Sequence, residues 1–135
     1  MRLLIFCLVF IGVIGCTSRQ VTNNAQVEFK NKEVDMHILK YKVPASCSFQ
    51  LKNSGKQPLV ILDIKTSCGC TIPNWKKKPI KPGKEDKITI KYDTSHPGRF
   101  RKTITVYYNG PASPAELVVK GEVEFPEEMK GIADE

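Results

Sequence analysis

The 135-residue sequence is poor in the residues from which most catalytic sites are built. It has only two histidines, His37 and His96, and we predict both as loop or surface residues. His96 precedes Pro97, which favours extended backbone within a turn. No Ser/His/Asp arrangement, no pair of carboxylates in a cleft-forming context and no glycine-rich phosphate loop is present. The sequence therefore argues against an enzyme.

Helical periodicity is missing after the first fifteen residues. Runs in which apolar and polar residues alternate recur instead, at intervals of roughly 8–12 residues between Gly, Pro and Asn turns. In residues 45–52, for example, Cys47, Phe49 and Leu51 share one face. The other predicted strands are residues 25–30, 36–41, 59–64, 86–92, 99–108 and 117–125. About seven short strands predict an all-β fold, an antiparallel immunoglobulin-like sandwich.

The connections between these runs give three further predictions. Residues 53–56, Asn-Ser-Gly-Lys, have turn chemistry and predict a hairpin that joins residues 45–52 to residues 59–64. The run at residues 36–41 is expected to pair near the first strand. Residues 72–83 are rich in proline, which favours a connection over a paired strand.

The first residues have the pattern of an export signal. Arg2 precedes an apolar run, and the run ends in Val13-Ile14-Gly15-Cys16, which resembles a bacterial lipobox. We predict a lipoprotein signal peptide over residues 1–15, lipidation at Cys16 and a polar tether over residues 16–25. A plain secretory signal or a short membrane helix is the alternative, but the run is too brief for ~30 Å of hydrocarbon at 1.5 Å per residue.

The rest of the chain is divided into a domain over residues 26–126 and an acidic tail over residues 127–135. No acidic residue directly follows Cys16, and no acidic run of the kind that marks surface export is present. We therefore expect a lipid-anchored protein of the cell envelope that faces the periplasm, from the outer membrane.

Three cysteines remain once Cys16 is acylated and the signal is removed: Cys47, Cys68 and Cys70. Their odd number predicts that one thiol stays free, binds a ligand or bridges to another molecule. Pairing between Cys68 and Cys70 is disfavoured, because a one-residue gap holds the two Cα atoms near the upper limit of disulfide geometry. A bridge from Cys47 remains open, although the predicted hairpin places Cys47 opposite Asp63 and would require the loop to fold back.

Cys68 and Cys70 are also candidates for a metal or thiol site. Two thiolates one residue apart suit a soft ion such as Cu(I), whereas zinc requires four ligands. His96, Cys47 and Met36 are possible third ligands, and the spacing selects none of them. We expect no cofactor, and copper or zinc bound at this pair is the alternative. A thiol redox role and a packed loop cap without chemistry are the further alternatives.

The formal net charge is +7, and the charged residues are distributed unevenly along the chain. Residues 76–102 contain ten basic and three acidic side chains, whereas residues 116–135 contain seven acidic and two basic ones. In an exported protein a basic stretch favours anionic lipid headgroups or an acidic protein surface over nucleic acid. A solvated strand face that only keeps the protein soluble is the alternative. The candidate interaction residues are Trp75, Lys76, Lys77 and Lys78.

Several short motifs occur in an order that resembles the bacterial domain of unknown function 1573. They are Phe49, Leu51, Asn53 and Gly55, then Pro58-Leu59, Ser67-Cys68-Gly69-Cys70-Thr71, Pro82-Gly83, Tyr92-Asp93, Gly98-Arg99-Phe100 and Gly121-Glu122-Val123. The resemblance implies an immunoglobulin-like sandwich, similar to Hydin-type and major-sperm-protein-like domains, and no established activity. The chain departs from the family pattern at Asp35-Met36-His37. With the lipobox, we expect a noncatalytic envelope lipoprotein that binds another protein or has a structural role.

Overall fold

Two four-stranded sheets pack face to face in the computed structural model, which describes residues 25–131. The strands are β1 (Val27–Phe29), β2 (Glu33–Leu39), β3 (Ala45–Asn53), β4 (Ile61–Thr66), β5 (Thr71–Asn74), β6 (Glu85–Tyr92), β7 (Gly98–Tyr108) and β8 (Ala115–Val123). The first sheet has the order β1-β3-β6-β5 and the second the order β2-β8-β7-β4. The predicted immunoglobulin-like sandwich is confirmed. The predicted signal peptide, Cys16, most of the predicted tether and residues 132–135 of the acidic tail lie outside the described residues.

The core is built by the alternation that predicted the strands. Phe49 and Leu51 on β3 are buried, and so are Ile88 and Ile90 on the neighbouring strand β6. The second sheet contributes the buried side chains of Ile104, Val106, Leu117 and Val119. Each large apolar side chain stabilises the fold by about 1.5–3 kcal/mol relative to an exposed one. The inward faces therefore hold the two sheets together.

The predicted hairpin between β3 and β4 is wrong. β3 pairs antiparallel with β6 in the first sheet, whereas β4 pairs antiparallel with β7 in the second. Residues 54–60 therefore cross from one sheet to the other. The turn chemistry was real, but a turn residue fixes only the local backbone, and the destination of the next strand depends on tertiary packing.

Strand β2 also differs from its prediction. It belongs to the second sheet and runs parallel to β8, instead of pairing near β1. A register shift lies between Asp35 and Ile38, and within it His37 has a φ of 57°. The His37 backbone N–H donates to Asp35 Oδ1 at 2.8 Å. The departure from the family pattern therefore coincides with a bulge that leaves the fold intact.

Strand β5 lies inside the segment that was predicted as a connection. Thr71–Asn74 pairs antiparallel with β6, although Pro73 is its third residue. β5 is the edge of its sheet, and a proline at an edge removes no hydrogen bond to a second neighbour. The prediction failed because a proline excludes central strands but not edge strands.

The sandwich has two distinct ends. At the near end, where residues 25 and 26 enter the domain, lie the connections 54–60 and 75–84. At the far end lie the connections 67–70 and 93–97, because β4 and β6 both run from the near end to the far end. Beyond β8 a short helix α1 (Glu127–Lys130) begins the acidic tail. Within residues 25–131 no helix has the length and apolar character needed to cross a membrane.

Candidate functional site

The connection 67–70 at the far end carries the chain from β4 in the second sheet to β5 in the first. Hydrogen bonds hold it to both sides. Ser67 N–H donates to Thr103 O at 3.0 Å, and Asp93 N–H donates to Cys70 O at 2.8 Å. The Thr66 hydroxyl also donates to Cys68 O at 2.9 Å. The backbone that presents the two cysteines is therefore fixed on β7 and on the start of the connection 93–97.

Cys68 and Cys70 form a disulfide, so the prediction that they do not pair is wrong. Their Cα atoms are 5.3 Å apart, within the range of 4.4–6.8 Å that disulfides normally have. An extended chain would separate them further, but the backbone bends here to change sheets. Gly69 lies at the exposed apex, and a Cβ placed on it would meet no heavy atom within 4 Å. The motif therefore forms a small ring at the surface.

Thr71 places a hydroxyl beside both sulfurs of this ring. Its Oγ1 lies 3.5 Å from Cys68 Sγ and 3.8 Å from Cys70 Sγ. Thr71 is only 2% exposed, whereas both cysteines are half-buried. The hydroxyl is thus held in place by the protein and can donate a hydrogen bond to a sulfur that gains negative charge. Sequence reasoning assigned no role to Thr71, although it is part of the recognised motif.

Cys47 is the free thiol that the odd cysteine count predicted. It is half-buried on β3 opposite Ile90 of β6, and Ile90 in turn lies opposite Pro73 of β5. Two strand spacings, about 10 Å in all, therefore separate Cys47 from Pro73. Cys70 lies three residues before Pro73, about 10 Å away along the strand direction. Burial raises the pKa of the Cys47 thiol. Cys47 therefore forms no disulfide with Cys68 or Cys70. The predicted hairpin that placed Cys47 opposite Asp63 does not form either, because β3 and β4 belong to different sheets.

The other proposed metal ligands are not assembled around the cysteines. His96 is exposed in the connection 93–97, and Met36 packs against the core from β2. Among residues 25–131 no group of three or more His, Cys, Asp or Glu side chains is placed to hold a metal ion. Copper or zinc binding at Cys68 and Cys70 remains a prediction, and it requires reduction of the disulfide because thiolates are the ligands.

A lysine surface occupies the near end. The connections 54–60 and 75–84 contain no acidic residue, and each of their lysines is exposed. This lysine surface consists of Lys56, Lys76, Lys77, Lys78, Lys81 and Lys84. Within the part of the chain that the structure describes, Lys76 alone among them is in an ion pair, at 3.7 Å from Asp86 Oδ1. The other five ammonium groups pair with no carboxylate of residues 25–131 and can meet an anionic surface.

Trp75 lies between the lysine surface and the core. Its ring is half-buried and packs against the core, and Lys77 Nζ lies 5.3 Å from the ring centroid. The Trp75 Nε1 atom is buried and meets no acceptor among the described residues. Of the candidate interaction residues, the structure thus places Lys76, Lys77 and Lys78 at the surface and Trp75 mainly beneath it.

The lysine surface adjoins the point where the chain enters the domain. Ser54 N–H donates to Gln26 O at 2.9 Å, and Asn53 N–H donates to Lys84 O at 3.0 Å. Gly83 N–H donates to Asn53 O at 2.8 Å. Gln26, just before β1, is thus tied to the connection 54–60, and the end of β3 is tied to the connection 75–84. Sequence reasoning recognised the basic segment but not its position beside the tether.

A cluster of ion pairs covers the outer face of the second sheet. Glu33 on β2 lies 2.9 Å from Arg101 of β7 and 2.6 Å from Lys120 of β8. Hydrogen bonds from Lys120 and Arg101 lower the pKa of Glu33, and the hydrogen bond to Glu33 raises the pKa of Lys120. Beside it lies an open groove of about 470 Å³. This cluster could not be predicted without the pairing of β2 with β8.

Comparison with protein families gives one match. The model of the family described as "Protein of unknown function (DUF1573)" matches residues 27–123. No curated protein matches the chain.

Solved structures with similar folds come from diverse proteins. A protein of unknown function from Porphyromonas gingivalis W83 superimposes with a TM-score of 0.68 at 19% identity. The match covers 80% of this chain and 51% of that one, so this chain spans about half the length of the Porphyromonas protein. The PapD-like domain 7 of human CEP192 has a TM-score of 0.61 at 11% identity, covering 94% of this chain and 100% of that one. At these identities the likeness shows the fold alone.

Proposed function

Because the chain belongs to the DUF1573 family, whose description names no activity, we propose a function from the geometry of the chain itself. The protein is a noncatalytic module of the bacterial cell envelope, anchored by lipid at Cys16 on the periplasmic face of the outer membrane. Its lysine surface rests on anionic headgroups of that membrane. Its far end points into the periplasm, where another protein can bind.

The observation that carries this proposal is the position of the lysine surface beside Gln26, where the chain enters the domain. Residues 17–24 separate Cys16 from the domain, and when fully extended they reach at most about 28 Å. The near end can therefore reach the bilayer surface whenever Cys16 is acylated, although the tether by itself does not force that contact. The far end is then the part of the sandwich that a periplasmic partner can reach.

Electrostatics favours a membrane as the occupant of the lysine surface. Near an anionic leaflet each lysine contributes about 1 kcal/mol of attraction. This attraction decays within a Debye length of about 8 Å at physiological ionic strength, so it acts only on a surface held near the headgroups. Stable anchoring needs two signals, such as two acyl chains or one chain with a basic patch. The lysine surface supplies such a signal in addition to the acyl chains.

Lysine footprinting of the full-length lipoprotein in vesicles tests this orientation. The protein is reconstituted in phosphatidylglycerol or in phosphatidylcholine vesicles, treated with a water-soluble acylating reagent and analysed by mass spectrometry. We expect Lys77, Lys78 and Lys81 to be protected in the anionic vesicles only, and the protection to disappear in 1 M salt, where the Debye length is about 3 Å. Lys42, near the far end, serves as the internal control and is expected to label equally in both.

Two outcomes contradict the proposal. Equal labelling of the lysine surface in both kinds of vesicle shows that headgroups do not cover it. Protection in intact cells without protection in anionic vesicles assigns the surface to an acidic protein instead of the membrane.

A further inference from the structure

Beyond the docking function, we propose that the Cys68–Cys70 disulfide is a site of reversible thiol–disulfide exchange with a dithiol on another exported protein. In this reaction Thr71 stabilises the thiolate that leaves. The exchange is stoichiometric, because each chain has one disulfide among residues 25–131, and it does not depend on the lysine surface. Three features of the far end lead to this inference.

The first feature is access. Gly69 is exposed at the apex of the ring, and the space where its Cβ would stand is open for 4 Å. Both cysteines are half-buried, so neither lies sealed in the core. In the proposed orientation the ring also lies at the end remote from the bilayer. A thiolate on another protein can therefore approach it.

The second feature is the Thr71 hydroxyl, 3.5 Å from Cys68 Sγ. A hydrogen bond to a thiolate stabilises the charged form and so lowers the pKa of the thiol. A thiol of lower pKa is the better leaving group in thiol–disulfide exchange. Because Thr71 is buried, its hydroxyl is positioned before the reaction begins.

The third feature is the isolation of Cys47. A nearby free thiol would attack the disulfide within the same chain and scramble it. Cys47 lies two strands from β5, and burial disfavours its thiolate. The ring is therefore open to a partner thiol but protected from the thiol of its own domain.

The exchange follows from these positions. A partner thiolate attacks Cys70 Sγ, a new S–S bond forms, and the Cys68–Cys70 bond breaks. The electron pair stays on Cys68 Sγ, which accepts the hydrogen bond from Thr71. The second thiolate of the partner then attacks its own sulfur in the mixed disulfide and releases Cys70 as a thiolate. The partner dithiol is oxidised by two electrons and loses two protons, while Cys68 and Cys70 are reduced and take up two protons.

Reduction kinetics with dithiothreitol, a small dithiol, test the role of Thr71 in the full-length protein. Quenching with an alkylating reagent and digestion with trypsin release residues 66–76, a peptide that holds Cys68 and Cys70 without Cys47.

We expect Thr71→Val to slow reduction by about tenfold, the effect of losing a hydrogen bond to a charged group. Thr71→Ser retains the hydroxyl and should restore the rate. Thr105→Val, on the outer face of β7, is the matched control. A Thr71→Val rate within twofold of the wild-type rate overturns the role of the hydroxyl.

The partner class is tested separately in cells. Cys68→Ser leaves Cys70 able to form a mixed disulfide that the chain itself cannot resolve. We expect a reducible adduct of protein mass on Cys70, and none on Cys47. An adduct of small-molecule mass alone overturns the protein partner. If alkylation before lysis finds residues 66–76 only in the form with two free thiols, and no adduct forms, the exchange proposal is wrong, whatever the footprint of the lysine surface shows.

Discussion

Asn53 connects three parts of the near end through one buried side chain. Its amide nitrogen donates to Gln57 O and Ile80 O, both at 2.8 Å, and its Oδ1 accepts from Gly55 N–H at 3.0 Å. The residue has no exposed surface. An asparagine here thus holds the crossover from β3 to β4 against the connection from β5 to β6.

We predict that Asn53→Ala destabilises the fold by about 2–4 kcal/mol, because it removes three hydrogen bonds made by a fully buried side chain. Urea denaturation followed by circular dichroism measures the change. Asn74→Ala on the exposed face of β5 is the control, with an expected change within about 0.5 kcal/mol. Equal midpoints for the two variants would show that the buried amide contributes little.

Two glycines give a second prediction at the residue scale. A Cβ on Gly121 would lie 2.9 Å from Phe100 Cζ and 3.0 Å from His37 O. Phe100 cannot easily shift, because it is stacked on Tyr92 with ring centroids 3.9 Å apart. Gly121→Ala should therefore cost about 1–3 kcal/mol by overpacking, whereas Gly69→Ala should be nearly neutral. Thermal unfolding compares them, and a Gly69→Ala variant that is the less stable of the two contradicts the packing argument.

The cysteines show how far residue-level reasoning reaches. Their odd count predicted that one of the three is left out of an intrachain disulfide, and among the described residues that one is Cys47. The pairing of Cys68 with Cys70 was missed, because the spacing alone does not reveal that the backbone bends between two sheets at that point. Thr71 was missed for the same reason, since its nearness to both sulfurs exists only after the bend.

At the scale of elements, Glu33 joins β2 to β7 and β8 through its ion pairs with Arg101 and Lys120. These partners lower its pKa below the ordinary value of 4.5 in the folded chain. The unfolded chain therefore binds this proton more tightly than the folded chain does. The resulting stabilisation is present above the unfolded pKa and is lost as the pH falls through the folded pKa.

We predict that Glu33→Gln weakens the dependence of stability on pH below about pH 5, because the variant has no carboxylate to protonate. The free energy of unfolding in urea is measured between neutral pH and the acid transition. Glu28→Gln, on β1 in the other sheet, is the control and should retain the wild-type slope. An unchanged slope in Glu33→Gln would show that solvent screens this exposed network completely.

Strand positions were predictable and strand partners were not. All seven predicted runs begin and end within three residues of an observed strand, because burial of one face imposes the period. The largest offset is at residues 36–41, which begin three residues after β2 does. The pairing of β2 with β8 depends on contacts between residues more than eighty positions apart, which no local pattern encodes. The sequence accordingly predicted the lysine surface as a basic segment, but it did not predict that this surface lies beside Gln26.

For the whole molecule, the proposed orientation depends on attachment at Cys16, which precedes the described residues. Acyl chains contribute about 0.8 kcal/mol of membrane-binding free energy for each buried CH₂ group. Summed over whole chains, this contribution is far larger than that of the lysine surface. We therefore predict that Cys16→Ser moves the protein from the membrane fraction to the soluble fraction, as measured by fractionation and immunoblotting. Replacing Lys77, Lys78 and Lys81 with glutamine is the matched control. That variant should remain in the membrane fraction, and Lys56 and Lys84, which can still be acylated, should lose their salt-sensitive protection. A Cys16→Ser protein that stays membrane-bound after its signal is cleaved would show that something other than lipidation anchors it.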